Sequence, residues 1–101
     1  MDREQIEKKL AGLWQQHLPE ITDRIGVLEH ACAALGAGSL SEEERRAAMA
    51  AAHKLAGVLG TFGRTRGTQL AREVEGMLEA GEAKSEPLRS LIQELRDIVG
   101  S

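Results

Sequence analysis

The feature that most constrains this chain is an apolar stripe in its first third. Its members recur every three or four residues and are Leu18, Ile21, Ile25, Leu28, Cys32 and Leu35. This spacing follows one face of an α-helix, whereas a half-buried strand alternates apolar and polar residues. Strand-favouring residues are also scarce, because the chain has 14 Ala and 13 Leu but four Val, five Ile, four Thr and no Tyr. The sequence therefore predicts an all-α protein.

The N-terminal third predicts two helical segments separated by a proline. Asp2 and Gln5 resemble a capping box, and the first apolar stripe follows at Ile6, Leu10, Leu13 and Trp14. Pro19 has no N–H to donate and disfavours the helical conformation at Leu18, so we expect the helix to end, or to kink and restart, here. The glycines within residues 36–39 end the second segment.

Three more helical segments are predicted beyond residue 40. Ser41 and Glu44 form a second capping box. Further signals mark the later boundaries: glycines at 60, 63 and 67, a glycine at 81, and Ser-Glu-Pro at 85–87. Since short loops force consecutive helices to run antiparallel, we expect residues 1–101 to form one domain, an up-down-up-down four-helix bundle with an additional N-terminal helix. Its predicted core contains Leu18, Ile21, Ile25, Leu28, Leu55, Leu59, Leu70, Val74, Leu91 and Leu95.

Composition and charge argue against several classes of function. A net charge of −3 and only two aromatic residues, Trp14 and Phe62, argue against nucleic-acid binding. The charged N-terminus and the absence of a run of about 18 apolar residues argue against membrane insertion, and we expect a cytoplasmic protein. Cys32 is expected to be a buried thiol. His17 and His30 do not form a convergent cluster of ligands with His53, so no metal site is predicted.

His53 is distinctive because the helix surface around it has few side chains. At about 100° per residue, the imidazole points roughly 130° away from the centre of the apolar face. Glycine in a helix interior costs about 1 kcal/mol relative to alanine, so the bare surface needs a reason. Either a neighbouring helix packs closely here and hydrogen-bonds His53, or a partner approaches a nucleophilic imidazole. The residues that share this surface are Met49, Ala50, Ala56, Gly57 and Gly60.

The residues after His53 resemble the histidine-containing phosphotransfer (Hpt) domain. That family has a His-x-Leu-Lys-Gly signature and a turn glycine ten residues after the histidine. Here the corresponding stretch is His-Lys-Leu-Ala-Gly at 53–57, with Gly63 at the turn, and the resemblance covers residues 45–78. Ala56 stands where the family usually has a lysine, while Lys54 directly follows the histidine.

The resemblance implies that the chain carries a phosphoryl group on His53. Lys54 and Gly57 would lie near that group, and the partner would dock on Met49, Ala56, Gly60, Arg64 and Arg72. The partner would be a response-regulator receiver domain or a sensor histidine kinase. No cofactor is expected, because the Mg²⁺ used in transfer belongs to the receiver.

No glycine-rich phosphate-binding loop is present, so we expect no ATP-binding or kinase activity in this chain.

The role of three arginines and the function of the domain both remain open at the level of sequence. Arg64, Arg66 and Arg72 either pair with phosphate or an acidic partner, or form a solvated face. The alternative function is a helical interaction module that docks a signalling partner without being phosphorylated, and a weaker one is a homodimerising scaffold.

Overall fold

The computed structural model describes residues 2–81 and 83–100, and in this part of the chain all regular structure is helical. The helices are α1 (Arg3–Gly36), α2 (Glu42–Thr61), α3 (Thr65–Ala80) and α4 (Ser85–Gly100). α1 packs against α2 and α4, and α3 packs against the same two helices. Joined by short loops, they form the antiparallel four-helix bundle that the apolar stripes predict.

Capping residues set the helix boundaries as the sequence predicts. The Asp2 carboxylate accepts a hydrogen bond from the Gln5 backbone N–H at 2.9 Å. At the start of α2, Ser41 Oγ accepts from the Glu44 N–H, and the Glu44 carboxylate accepts from the Ser41 N–H, both at 3.0 Å. Gly63 has a φ of +71° between α2 and α3, a conformation that favours glycine. These signals are local, and they fix where α1 begins and where α2 begins and ends.

The predicted additional N-terminal helix is not separate, because α1 continues through Pro19 for 34 residues. Pro19 deprives the carbonyl of Gln15 of its usual donor, but both residues are exposed and water can satisfy that carbonyl. The apolar stripe also continues across the proline, since Trp14 and Ile21 are both buried. Packing on both sides of Pro19 therefore outweighs its local preference.

The first turns of α1 project beyond the bundle. A 34-residue helix is about 51 Å long, whereas the 16 residues of α3 span about 24 Å. The longest dimension of the molecule is 52 Å. The apolar side chains of the projecting turns are 40–47% exposed, and they are Ile6, Leu10 and Leu13.

The core runs along the bundle axis and contains most of the predicted residues. Fully buried members are Ile21, Ile25, Leu28, Leu55, Leu59, Leu70, Val74 and Leu95. Leu18 and Leu91 are partly buried at its edge. Cys32 is buried as expected, and burial raises the pKa of its thiol. Within the described residues, no helix combines the length and apolar character needed to cross a membrane.

Candidate functional site

His53 lies in the middle of α2 and points into solvent. Its side chain is 77% exposed, whereas its neighbours Ala52 and Leu55 are completely buried. The predicted outward orientation of the imidazole is therefore confirmed. An exposed imidazole in a rigid helix is accessible to a second protein.

One nitrogen of His53 is bound to a carboxylate on the next helix. Nδ1 lies 3.0 Å from Oε2 of Glu75, which is 22 residues later on α3. An ionised carboxylate only accepts hydrogen bonds, so Nδ1 must be the donor. A neutral imidazole has a single N–H, which leaves a lone pair on Nε2. In the described part of the chain, Nε2 has no hydrogen-bond partner.

Two glycines near His53 have different surroundings. A Cβ added at Gly57 would meet nothing within 4 Å. A Cβ added at Gly60 would lie 3.4 Å from Oγ1 of Thr68, a hydroxyl that donates to the Ala56 carbonyl at 3.1 Å. Close helix packing therefore explains Gly60 in part, but it does not explain Gly57. The surface at Gly57 is open.

Some of the predicted site residues lie elsewhere. Ala56 belongs to the core and is 5% exposed, so the expectation that its side chain meets a partner needs correction. Met49 is partly buried, and its sulfur accepts a hydrogen bond from Nη1 of Arg45 at 3.2 Å. Lys54 is exposed, but it lies about 100° further round α2 than His53.

The three arginines after the α2–α3 turn have different partners. Arg64 lies over Trp14, with its guanidinium carbon 4.4 Å from the ring centroid, in a cation–π contact. Arg66 makes two hydrogen bonds to Glu94 on α4, at 3.1 and 3.2 Å. Arg72 is exposed and forms no hydrogen bond or ion pair with any described residue. Of these three cations, Arg72 alone is unengaged within residues 2–81 and 83–100.

Glu75 is the site residue that sequence reasoning misses. It follows the buried Val74 on α3, but nothing in its local pattern connects it with His53. The connection depends on the register between two antiparallel helices, which periodicity within one helix does not give. No group of three or more His, Cys, Asp or Glu residues in the described chain is arranged to hold a metal ion.

Comparison with known proteins identifies the family to which this chain belongs. Residues 12–100 match the Hpt domain. The chain is also 35% identical over 69 residues to Protein RcaC of Microchaete diplosiphon, an alignment that covers 68% of this chain and 11% of that protein. No solved structure gives a significant match. Because the match extends over nearly the whole chain and includes His53, the chain belongs to the Hpt domain family, and its role is histidine phosphotransfer in phosphorelay signalling.

Proposed function

We propose that His53 is the phosphoacceptor and that it exchanges a phosphoryl group with an aspartate of a receiver domain. The hydrogen bond from Nδ1 to Glu75 carries this proposal, because it leaves the Nε2 lone pair available on an exposed ring. Hpt domains interact with receiver domains and kinases, so a sensor histidine kinase is the other proposed donor. Residues 1–101 then form one Hpt-like domain that acts in the cytoplasm.

The proposed transfer requires no proton to leave His53. The Nε2 lone pair attacks the phosphorus of the acyl phosphate on the partner's aspartate. The N–P bond forms as the P–O bond breaks, and the electron pair leaves on the aspartate carboxylate. Nδ1 keeps its proton, so the imidazole ring becomes positively charged. The Glu75 carboxylate, 3.0 Å from Nδ1, stabilises that charge.

The surface beside His53 supports close approach of a partner. In-line transfer requires the reacting atoms to lie within a few ångströms, and a misplacement of about 1 Å can cost roughly a hundredfold in rate. Gly57 and Gly60 leave this part of α2 without side chains, and Arg72 and Lys54 are exposed cations on either side. We assign these four residues to the docking surface. Arg64 follows the end of α2, which is about 12 Å along the helix axis from His53, so it lies at the edge of this surface.

The direct test is phosphoryl transfer to the purified chain. We would incubate it with a receiver domain carrying ³²P on its aspartate and, separately, with phosphoramidate. We expect acid-labile, alkali-stable label in the chain, and tandem mass spectrometry should locate it on His53. A folded chain that binds the receiver but never becomes labelled would contradict the proposal and favour an interaction module that is not phosphorylated.

A further inference from the structure

Phosphorylation of His53 would concentrate negative charge at the α2–α3 seam, the line along which these two helices pack. Glu75 already places a carboxylate against the ring, and a phosphoryl group adds further negative charge beside it. The nearby arginines of α2 are engaged, because both Arg45 and Arg46 bind Glu42, at 2.6 and 3.1 Å. Lys54 is exposed but points about 100° away from His53 around α2, so a cation on the α3 side of the ring would offset this charge.

The register of the two helices shows which residue lies opposite the open surface. His53 faces Glu75 across the seam, and Gly60 faces Thr68. Because α2 and α3 are antiparallel, Gly57 lies level with the residues between Thr68 and Glu75. Arg72 is four residues after Thr68 and three before Glu75, so it shares their side of α3.

We infer that Arg72 is the residue that binds the phosphoryl group on His53, an inference that rests on the proposed function. Gly57, one turn after His53, adds no side chain beside the ring, and nothing lies within 4 Å of its Cβ position. Arg72 forms no hydrogen bond or ion pair with the described residues, so its guanidinium is available. A guanidinium donates two parallel hydrogen bonds to phosphate oxygens. The Hpt family usually has a lysine at the position that Ala56 occupies here. Arg72 would supply the positive charge that Ala56 lacks.

The test compares Arg72→Gln with Arg72→Lys and with Arg66→Gln. Arg66 is the matched control, an exposed arginine on the same helix whose partner is Glu94. We expect Arg72→Gln to slow labelling by phosphoramidate about fivefold, the upper range for an exposed ion pair, and to shift the ³¹P resonance of the phosphohistidine. Arg72→Lys should restore most of the rate, and Arg66→Gln should label like the parent. Circular dichroism would establish that all three variants are folded.

The outcomes separate this inference from the proposed function. A parent that is never labelled on His53 overturns the proposed function itself. A labelled parent with an Arg72→Gln variant that reacts equally fast, and with the same ³¹P shift, overturns only the role of Arg72. The comparison is repeated in a Glu75→Gln background. A fivefold loss that persists there supports direct contact with phosphate, whereas a loss that disappears shows that Arg72 acts through Glu75 and overturns the inference.

Discussion

Two histidine–glutamate pairs connect neighbouring helices, and they use different ring nitrogens. His30 of α1 binds Glu44 of α2 through Nε2 at 3.1 Å, whereas His53 of α2 binds Glu75 of α3 through Nδ1 at 3.0 Å. Both side chains are highly exposed, at 75% and 77%. Exposure therefore does not distinguish the two histidines. The difference lies in which nitrogen is left free.

The two carboxylates also have different roles. Glu44 accepts the Ser41 backbone N–H in the capping box, and the hydrogen bonds from Ser41, with a smaller effect of His30, lower the pKa of Glu44. It is held at the start of α2 whether or not His30 is present. In the described chain, Glu75 has His53 as its partner. A carboxylate dedicated to one imidazole is what we expect of a reactive site.

The largest effect should come from exchanging each histidine for glutamine. We expect His53→Gln to abolish labelling by a phosphorylated receiver, and His30→Gln to label like the parent. Both variants should fold, since each side chain is mostly exposed and contributes little packing. Label that persists in His53→Gln, mapped to His17 or His30 by mass spectrometry, would show that the assignment is wrong.

The next effect concerns the glycine one turn from each histidine. Gly57 follows His53 by four residues and Gly26 precedes His30 by four, and an added Cβ meets nothing within 4 Å at either. Leucine is a better helix former than glycine, so both substitutions should keep or raise the melting temperature. We expect Gly57→Leu to slow transfer from the receiver about a hundredfold while labelling by phosphoramidate changes less, and Gly26→Leu to affect neither.

Comparing the stability of the Gly57→Leu and Gly26→Leu variants also tests the packing around His53. If Gly57→Leu unfolds while Gly26→Leu does not, the open surface at Gly57 is required for internal packing. A Gly57→Leu variant that accepts phosphate from the receiver at the parental rate would show that the partner docks on another face.

A smaller effect is expected from neutralising each glutamate. Glu75→Gln should slow labelling of His53 about tenfold, because an amide cannot balance the charge on the phosphorylated ring as a carboxylate does. Glu44→Gln should leave the labelling rate unchanged. Measured labelling rates with phosphoramidate, at saturating donor and matched temperature, provide the comparison. Equal rates for the parent and Glu75→Gln would remove Glu75 from the mechanism.

The smallest effect is on stability, and it concerns Glu44 of the His30–Glu44 pair, to which we assign a structural role. The pKa of Glu44 is lowered from 4.5 in the folded chain, so its ionised form stabilises the fold above that pH. This contribution is lost as the pH falls through the folded-state value. Urea unfolding of the parent and Glu44→Ala should therefore differ at pH 7 and converge in acid. A constant difference at every pH would show that the capping carboxylate has no such role.

The features that could be predicted from the sequence are those that depend on neighbouring residues. Helical periodicity places His53 on the outer surface, and the Ser41 cap locates the start of α2. The separate helix predicted before Pro19 is wrong, because burial of Trp14 and Ile21 on either side holds one continuous helix. Glu75 could not be identified because its partner is 22 residues away and the pairing depends on inter-helix register.

The projecting turns of α1 place one end of a continuous helix outside the cooperative core. About ten isolated residues are only marginally helical in water, and the Hpt match itself begins at residue 12. Two exposed i,i+4 ion pairs support these turns, Arg3 with Glu7 at 3.5 Å and Glu4 with Lys8 at 3.6 Å. We therefore expect backbone amides before Trp14 to exchange with solvent by local opening, and the most protected amides of the core helices to exchange only by global unfolding. One helix would then have two levels of protection, divided where Trp14 enters the core.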